Sequence, residues 1–384
     1  MHKFIIWIII TCSLSFSVFA EKSDCINRHC IAVIDAGSTG SRLHIYSYVL
    51  DDTNTPIDIK EIWNRKAVPG LSTIEHEHKS ISVYMEKLFA DAPAVTMPVY
   101  FYSTGGMRLL PKTHHKNVNQ LVADWFDKQY YWRLIKARTI SGTEEGVFAW
   151  LAINYQLNLF NQQDTTPTGV MDIGGASVQI VIPIKDGGVF KGRDLVTMSI
   201  YGKTYTIYSR SFLGLGQNEM GHQYFDLKYC YPKEFELPRG HLGQGDASLC
   251  KNEISILVND VHYVSKKVNG ILKSNPVDKW YILGGITSML HDKLFSFNKN
   301  KFTMSELFNL ADQNICHQKW STLEETNPDN FMLYNYCMLP SYLYALIVNG
   351  YGIKNDQQIN FLPQNKNADW TIGVVLQHQH TKVY

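Results

Sequence analysis

Ala32-Val33-Ile34-Asp35-Ala36-Gly37-Ser38-Thr39-Gly40-Ser41 and Gly169-Val170-Met171-Asp172-Ile173-Gly174-Gly175-Ala176-Ser177 are two copies of one pattern. Each is a short apolar run that ends in Asp-x-Gly, passes through a small glycine- and hydroxyl-rich turn and enters a second β-prone run, 42–50 or 178–184. The spacing predicts strand, tight turn and returning strand. Glycine lets such a turn bring backbone N–H groups together around an anion, and Ser and Thr add hydroxyl donors. One Asp-x-Gly turn alone is as often an ordinary hairpin as a phosphate loop; two, with hydroxyls in the same place, point to phosphate. Asp35 and Asp172 lie 137 residues apart, a separation suited to two similar lobes that each offer one loop and one carboxylate to a shared cleft. The chain has no Gly-x-x-x-x-Gly-Lys-Ser/Thr loop, and Gly214-Leu215-Gly216-Gln217-Asn218-Glu219-Met220-Gly221 has the wrong spacing for a dinucleotide turn.

Outward from these loops, the first residues carry His2 and Lys3, an apolar stretch over 4–16 and then Val18-Phe19-Ala20. This reads as an export signal (1–20) cleaved after Ala20, giving a secreted or periplasmic protein. Cys12 sits in that apolar stretch in a poor lipid-attachment context. No later run approaches the ~20 apolar residues that span a bilayer, so no stable membrane anchor is expected. Cys25, Cys30, Cys230, Cys250, Cys316 and Cys337 remain, an even number for an oxidising compartment. Of the ~15 connectivities open to six cysteines, pairing of sequence neighbours is the expectation: Cys25–Cys30, Cys230–Cys250 and Cys316–Cys337. No pair has zinc-ligand spacing. The absence of any Asn-x-Ser/Thr sequon favours a bacterial source. A net charge of +1 argues against nucleic acid and for a small-molecule partner; a monomer is expected.

Between the loops the pattern predicts a strand over 57–64, a turn at 68–71, a helix over 80–89 and a strand over 98–102 running into Ser103-Thr104-Gly105-Gly106-Met107-Arg108. Helices follow at 118–126 and 147–157, separated by a short strand at 138–140 and the loop 141–146. The second half predicts strands near 196–200 and 205–211, one long amphipathic helix over 254–271, a buried strand over 280–286 that ends in Gly-Gly, and a last strand over 369–377. The expected lobes are 21–150 with 358–384, and 151–357.

These motifs resemble the apyrases, or ecto-nucleoside triphosphate diphosphohydrolases. The resemblance rests on Asp35-Ala36-Gly37-Ser38-Thr39-Gly40-Ser41-Arg42, Ser103-Thr104-Gly105-Gly106-Met107-Arg108-Leu109, Ile140-Ser141-Gly142-Thr143-Glu144-Glu145-Gly146 with Trp150 beyond, and Asp172-Ile173-Gly174-Gly175-Ala176-Ser177-Val178-Gln179. The stretches 212–216 and 336–342 match less closely, and Gly105 stands where the family usually has Ala. The resemblance implies an α/β, two-lobed actin-like fold of two ribonuclease H-like domains with the active site in the cleft between them. It also implies Mg²⁺ or Ca²⁺ on the phosphates, and stepwise hydrolysis of nucleoside tri- and diphosphates to the monophosphate.

The chemistry assigns roles. Phosphoryl transfer to water needs the terminal phosphate held in line, its charge balanced and a water deprotonated. Ser38, Thr39, Gly40 and Ser41 with Gly174, Gly175 and Ala176 are the expected phosphate donors, and Asp35 and Asp172 are hard oxygen groups for the cation. Glu145 is the expected general base, because the family's Glu directly precedes the Gly; Glu144 is the internal alternative, and a plain helix N-terminal charge the bland one. Ser177 and Gln179 are expected to orient the attacking water, as the corresponding family positions do, and Thr104 to bond near the scissile phosphate. Arg108 is expected to brace its loop. For Tyr334, Tyr336, Tyr342 and Trp370, base stacking competes with core packing; Tyr342, Trp370 and Tyr336 are the candidates. The His76/His78, His114/His115 and His378/His380 pairs are expected at the solvated surface.

An actin- or chaperone-type ATPase switch, a sugar kinase and an exopolyphosphatase share a two-loop cleft. Export favours a hydrolase, because outside the cytosol a motor or kinase lacks fuel.

Overall fold

A computed structural model describes residues 24–160, 167–185, 192, 194–224, 226–366 and 369–378. The expected export signal and His380 lie outside the described residues.

The first Asp-x-Gly copy joins β1 (His29–Ala36) to β2 (Ser41–Leu50), which pairs antiparallel with β3 (Pro56–Ala67). On the other side of β1, β4 (Met97–Ser103) and then β5 (Trp132–Thr139) add in parallel, giving the order β3-β2-β1-β4-β5. The apolar run of β1 is continuous because both faces are covered. Ala32 and Ile34 point into a core shared with the His78–Phe89 and Lys112–Phe126 helices, whereas Ile31 and Val33 point the other way.

The second copy repeats the scheme. β6 (Gly169–Ile173) and β7 (Ser177–Pro183) form the hairpin, and β8 (Leu195–Ile200) and β9 (Lys203–Leu213) extend it. In the order β11-β12-β10-β6-β7-β9-β8, β10 (Trp280–Gly284) and β12 (Ile359–Asn360) run parallel to β6, and β11 (Lys301–Phe302) closes the edge. The repetition extends to single residues. Asp35 stands opposite Arg42 and Asp172 opposite Gln179, and the Gly37 and Gly174 amides close their turns on the Gly40 and Ser177 carbonyls. The same sequence offset relates every member of the two sets. The two-lobed α/β expectation is met.

Two helices lie between the sheets and exchange sides. Gly142–Gln156, which follows β5 of the first sheet, packs on β6, β7 and β9 of the second. Thr371–Gln377, which follows β12 of the second sheet, packs on β1 and β3 of the first. They cross where a Cβ on Gly373 would strike the backbone of Phe148, and the residues around them form one core that draws on both sheets.

Several expectations change. The helix over 147–157 begins at Gly142, because Ser141 and Glu144 form a reciprocal capping box; Glu145 is therefore in a first helical turn, not a loop. The long helix over 254–271 is broken at Tyr263, whose φ of 55° separates Ala247–Ile256 and a following π-turn from Val264–Ser274. The last strand, 369–377, is a helix: the Asp369 carboxylate bonds the Thr371 amide and hydroxyl, and the β-branched run is buried in the helix crossing. Residues 359–360, placed by sequence with the first lobe, pair in the second sheet. Disulfides join Cys25–Cys30, Cys230–Cys250 and Cys316–Cys337, the neighbour pairing expected.

Candidate active site

A cleft of about 640 Å³ opens between the sheets at the carboxyl ends of the parallel strands β1, β4, β6 and β10, where open α/β sheets present ligands. Ser38, Thr39 and Gly40 line it from one side; Gly174, Gly175, Ala176 and Ser177 line it from the other. The two loops nearly touch, since a Cβ on Gly175 would strike Ser38 Oγ. Thr104 also faces the cleft, and its amide donates to the Ala36 carbonyl (3.2 Å), tying the loop after β4 to the first Asp-x-Gly turn. Gly105 abuts Ser177, so the missing methyl is replaced by close backbone approach. Ser41 is different: it is fully buried, its amide donates to the Tyr84 hydroxyl (3.0 Å), and it does not line the cleft. Its position in β2 turns it inward.

Asp35, Asp172, Glu145 and Asp369 all line the cleft. Burial, then Asp369 and Glu145, push Asp35 up to about 8, and burial with the same neighbours raises Asp172 well above the carboxylate range. Asp35 Oδ1 is buried without a hydrogen-bond partner. An orphaned carboxylate oxygen among buried acids is the chemistry a hard divalent cation relieves, so Asp35 and Asp172 fit one. Among the described residues no three His, Cys, Asp or Glu side chains cluster closely enough to hold a metal by themselves. A cation here would depend on phosphate and water oxygens for the rest of its shell.

The fourth carboxylate was missed by sequence reasoning. Burial opposes the charge of Asp369, but His44 Nε2 (3.5 Å) and the Thr371 amide hold it below the usual carboxylate range. His44 also bonds Glu61 through Nδ1; burial opposes its charge, and Asp369 and Glu61 overcome this, pushing the imidazole up to about 9. Arg42, Lys66 and Lys366 add cations to the cleft wall. Arg42 lay inside the quoted motif; the lysines carried no local signal.

Glu145 sits in a polar knot. Its Oε2 accepts from Arg108 Nη2 (2.7 Å) and Gln179 Nε2 (3.2 Å), and the same two groups donate to Ser177 Oγ at 2.8 and 2.9 Å. Arg108 further bonds the Ile140 carbonyl (3.1 Å), so it reaches well beyond its own loop. Gln179 also meets Ser211 Oγ (3.0 Å) and does not line the cleft; its amide faces Glu145 and Ser177. Glu144 is engaged elsewhere, capping Ser141 and pairing with both Arg138 terminal nitrogens at 2.9 and 2.7 Å, which leaves Glu145 as the cleft-facing member of the pair.

Of the aromatic candidates, only Trp370 lines the cleft, with one face stacked on Phe148 (ring centroids 6.0 Å apart). Tyr342 is fully buried in the second-lobe core and donates to the Leu215 carbonyl (2.6 Å). Tyr336 donates to Asp292 (3.2 Å) beside a separate cavity of about 440 Å³, and Tyr334 stacks on Phe235. Aromatic residues in a helix-rich segment fill cores more often than they meet ligands. His378 is half-buried and bonds the Tyr48 hydroxyl (2.7 Å).

The family model for GDA1/CD39 (nucleoside phosphatase) matches residues 22–234 and 239–384. The chain is 23% identical over 411 residues to ectonucleoside triphosphate diphosphohydrolase 3 of Homo sapiens, covering 90% of this chain and 77% of that protein. It is 25% identical over 429 residues to probable apyrase 5 of Arabidopsis thaliana, covering 96% and 86%. Among solved structures, a nucleoside triphosphate hydrolase of Neospora caninum shares the fold at a TM-score of 0.63 and 15% identity, covering 94% of this chain and 95% of that one. A Ppx/GppA family protein of Aquifex aeolicus shares it at 0.54 and 15%, covering 93% and 99%. With both loops, their aspartates and the Glu145 segment inside the matched residues, the chain is a member of the GDA1/CD39 (nucleoside phosphatase) family.

Proposed function

We infer that the protein is an exported apyrase: it hydrolyses nucleoside tri- and diphosphates to the monophosphate by direct attack of water, with Mg²⁺ or Ca²⁺ and with Glu145 as general base. The observation that carries this reading is Glu145 itself, a cleft-lining carboxylate beside two converging phosphate loops, whose side-chain hydrogen bonds among the described residues go to one oxygen, Oε2. The other oxygen, Oε1, is left to take a proton. Three disulfides suit an oxidising compartment, and no described helix is long and apolar enough to cross a membrane.

In this reading the backbone N–H groups and hydroxyls of Ser38, Thr39, Gly174, Gly175 and Ala176 bind the phosphate oxygens, and Thr104 bonds beside the scissile bond. A divalent cation at Asp35 and Asp172 would supply charge neutralisation. Water oxygen bonds to the terminal phosphorus as the bridging P–O bond breaks; the nucleotide oxygen leaves with that electron pair, and Glu145 Oε1 takes the water proton. Trp370 is the candidate surface for the base.

The test is phosphate release from ATP, ADP and inorganic polyphosphate by the purified protein with Mg²⁺, Ca²⁺ or EDTA, repeated with Glu145→Gln. Release from both nucleotides that EDTA abolishes and the variant lowers about 10²–10⁴-fold is the expected result. Release from polyphosphate alone would establish an exopolyphosphatase, and tight ATP binding without turnover a nucleotide switch.

A further inference from the structure

We propose that Arg108 is a positioning residue for hydrolysis, one that fixes which oxygen of Glu145 is the base and leaves the Ser177 hydroxyl able only to donate toward the cleft. The proposal rests on Glu145 being the base. Arg108 does not line the cleft, so it acts through what it touches.

Its Nη2 is 2.7 Å from Glu145 Oε2 and 2.8 Å from Ser177 Oγ, and Nη1 is anchored 3.1 Å from the Ile140 carbonyl. The side chain is 13% exposed, which limits its alternatives. A serine hydroxyl has one proton and two acceptor lone pairs. At Ser177 both acceptor positions are taken, one by Arg108 and one by Gln179 Nε2 at 2.9 Å. The proton must therefore be donated outward, and because Ser177 lines the cleft, it is offered to the attacking water or to a phosphoryl oxygen. The same guanidinium holds Glu145 Oε2 at 2.7 Å, turning Oε1 to the proton that leaves; Gln179 Nε2, whose two protons go to Ser177 and Ser211, stands at 3.2 Å from Oε2 as a weaker, shared contact. One guanidinium thus gives two neighbouring groups opposite polarities, Ser177 as donor and Glu145 as acceptor, which is what aligns a water between them. The fork matters: a lysine ammonium is a point charge on a flexible stem and cannot hold a carboxylate, a hydroxyl and a carbonyl together in one plane.

The link also crosses the molecule. Arg108 follows β4 of the first sheet, while Glu145 rides on a helix packed against the second sheet, where Ser177 begins β7. The helix start is seated there by Ser209 Oγ, which donates to the Thr143 carbonyl (2.9 Å), and by Gly142, which admits Ser211.

The test measures kcat and KM for ADP and ATP in the wild type, Arg108→Ala, Arg108→Lys, Glu145→Gln and the Arg108→Ala/Glu145→Gln double variant, with and without added guanidinium ion. Arg108→Ala is expected to lower kcat about 10²–10³-fold while KM moves less than about threefold, with guanidinium restoring part of the rate. Arg108→Lys is expected to fall in between without rescue, and the double variant to lose no more than about threefold beyond Glu145→Gln. A raised KM at unchanged kcat, full losses that multiply in the double variant, or a lowered Tm with kcat intact would overturn the proposal. If Arg108→Ala fails to fold, Arg108→Lys decides, since full kcat in that variant refutes a need for the fork. Wild-type rates in Glu145→Gln would instead overturn the base assignment.

Discussion

His44 shows how one side chain couples the cleft to stability. Its imidazole sits between Glu61 of β3 and Asp369 at the start of the last described helix, so its charge fastens that helix to the first sheet. With a folded value of about 9 against 6.5 unfolded, its stabilisation is fully present below pH 6.5 and disappears as pH rises through 9; the shift corresponds to something on the order of 3 kcal/mol. Thermal unfolding should therefore show Tm falling between pH 6.5 and 9.5, with a flatter profile in His44→Gln; parallel profiles would contradict this. At this scale the sequence was legible where cleft-lining residues fall within one short motif. Asp35, Asp172 and the loop hydroxyls announce themselves within ten-residue motifs, and Glu145 by its place before Gly146. Arg108 was picked out within its motif as a brace, but its partners were not legible, because they lie 37 and 69 positions away and no spacing rule connects a guanidinium to a carboxylate on another element. Ser41 and Tyr342 misled because residue type and motif membership do not say which way a side chain points.

Elements were readable when period and caps agreed. The two hairpins and the buried strand ending at Gly284 follow from apolar runs closed by glycine. The helix over Thr371–Gln377 defeated the same reasoning, because Thr-Ile-Gly-Val-Val-Leu has strand propensity and an interior glycine. Its glycine has a packing reason: at the crossing with Gly142–Gln156, a side chain on residue 373 would run into the Phe148 carbonyl. Gly373→Val should thus destabilise the protein by roughly 1–3 kcal/mol, the usual penalty of overpacking, seen as a lower urea midpoint at unchanged m-value. Stability equal to the wild type would mean the crossing is looser than described.

For the molecule as a whole, the central core decides how the lobes behave. Ile31, Val33 and Tyr46 of the first sheet share it with Val170, Val181 and Ile207 of the second, around the exchanged helices. Neither sheet keeps a complete core if the other melts, so calorimetry should show one transition, with the calorimetric and van't Hoff enthalpies in agreement, and Gly373→Val should move it without splitting it. Two resolved transitions would show that the lobes unfold independently. The two-lobe plan was legible from the repeated loops, but the exchange of helices was not, since a sequence shows that a helix follows a strand and not which sheet it will cover.

That exchange says something about origin. Two halves that share a five-strand order, β3-β2-β1-β4-β5 matching β9-β7-β6-β10-β12, around a matched pair of turns, each giving its closing helix to the other, have the internal form of a domain-swapped homodimer joined head to tail in one polypeptide. The polar knot sits on that seam: Arg108 reaches across it to a glutamate that its own half contributes in sequence but that the other half carries in space.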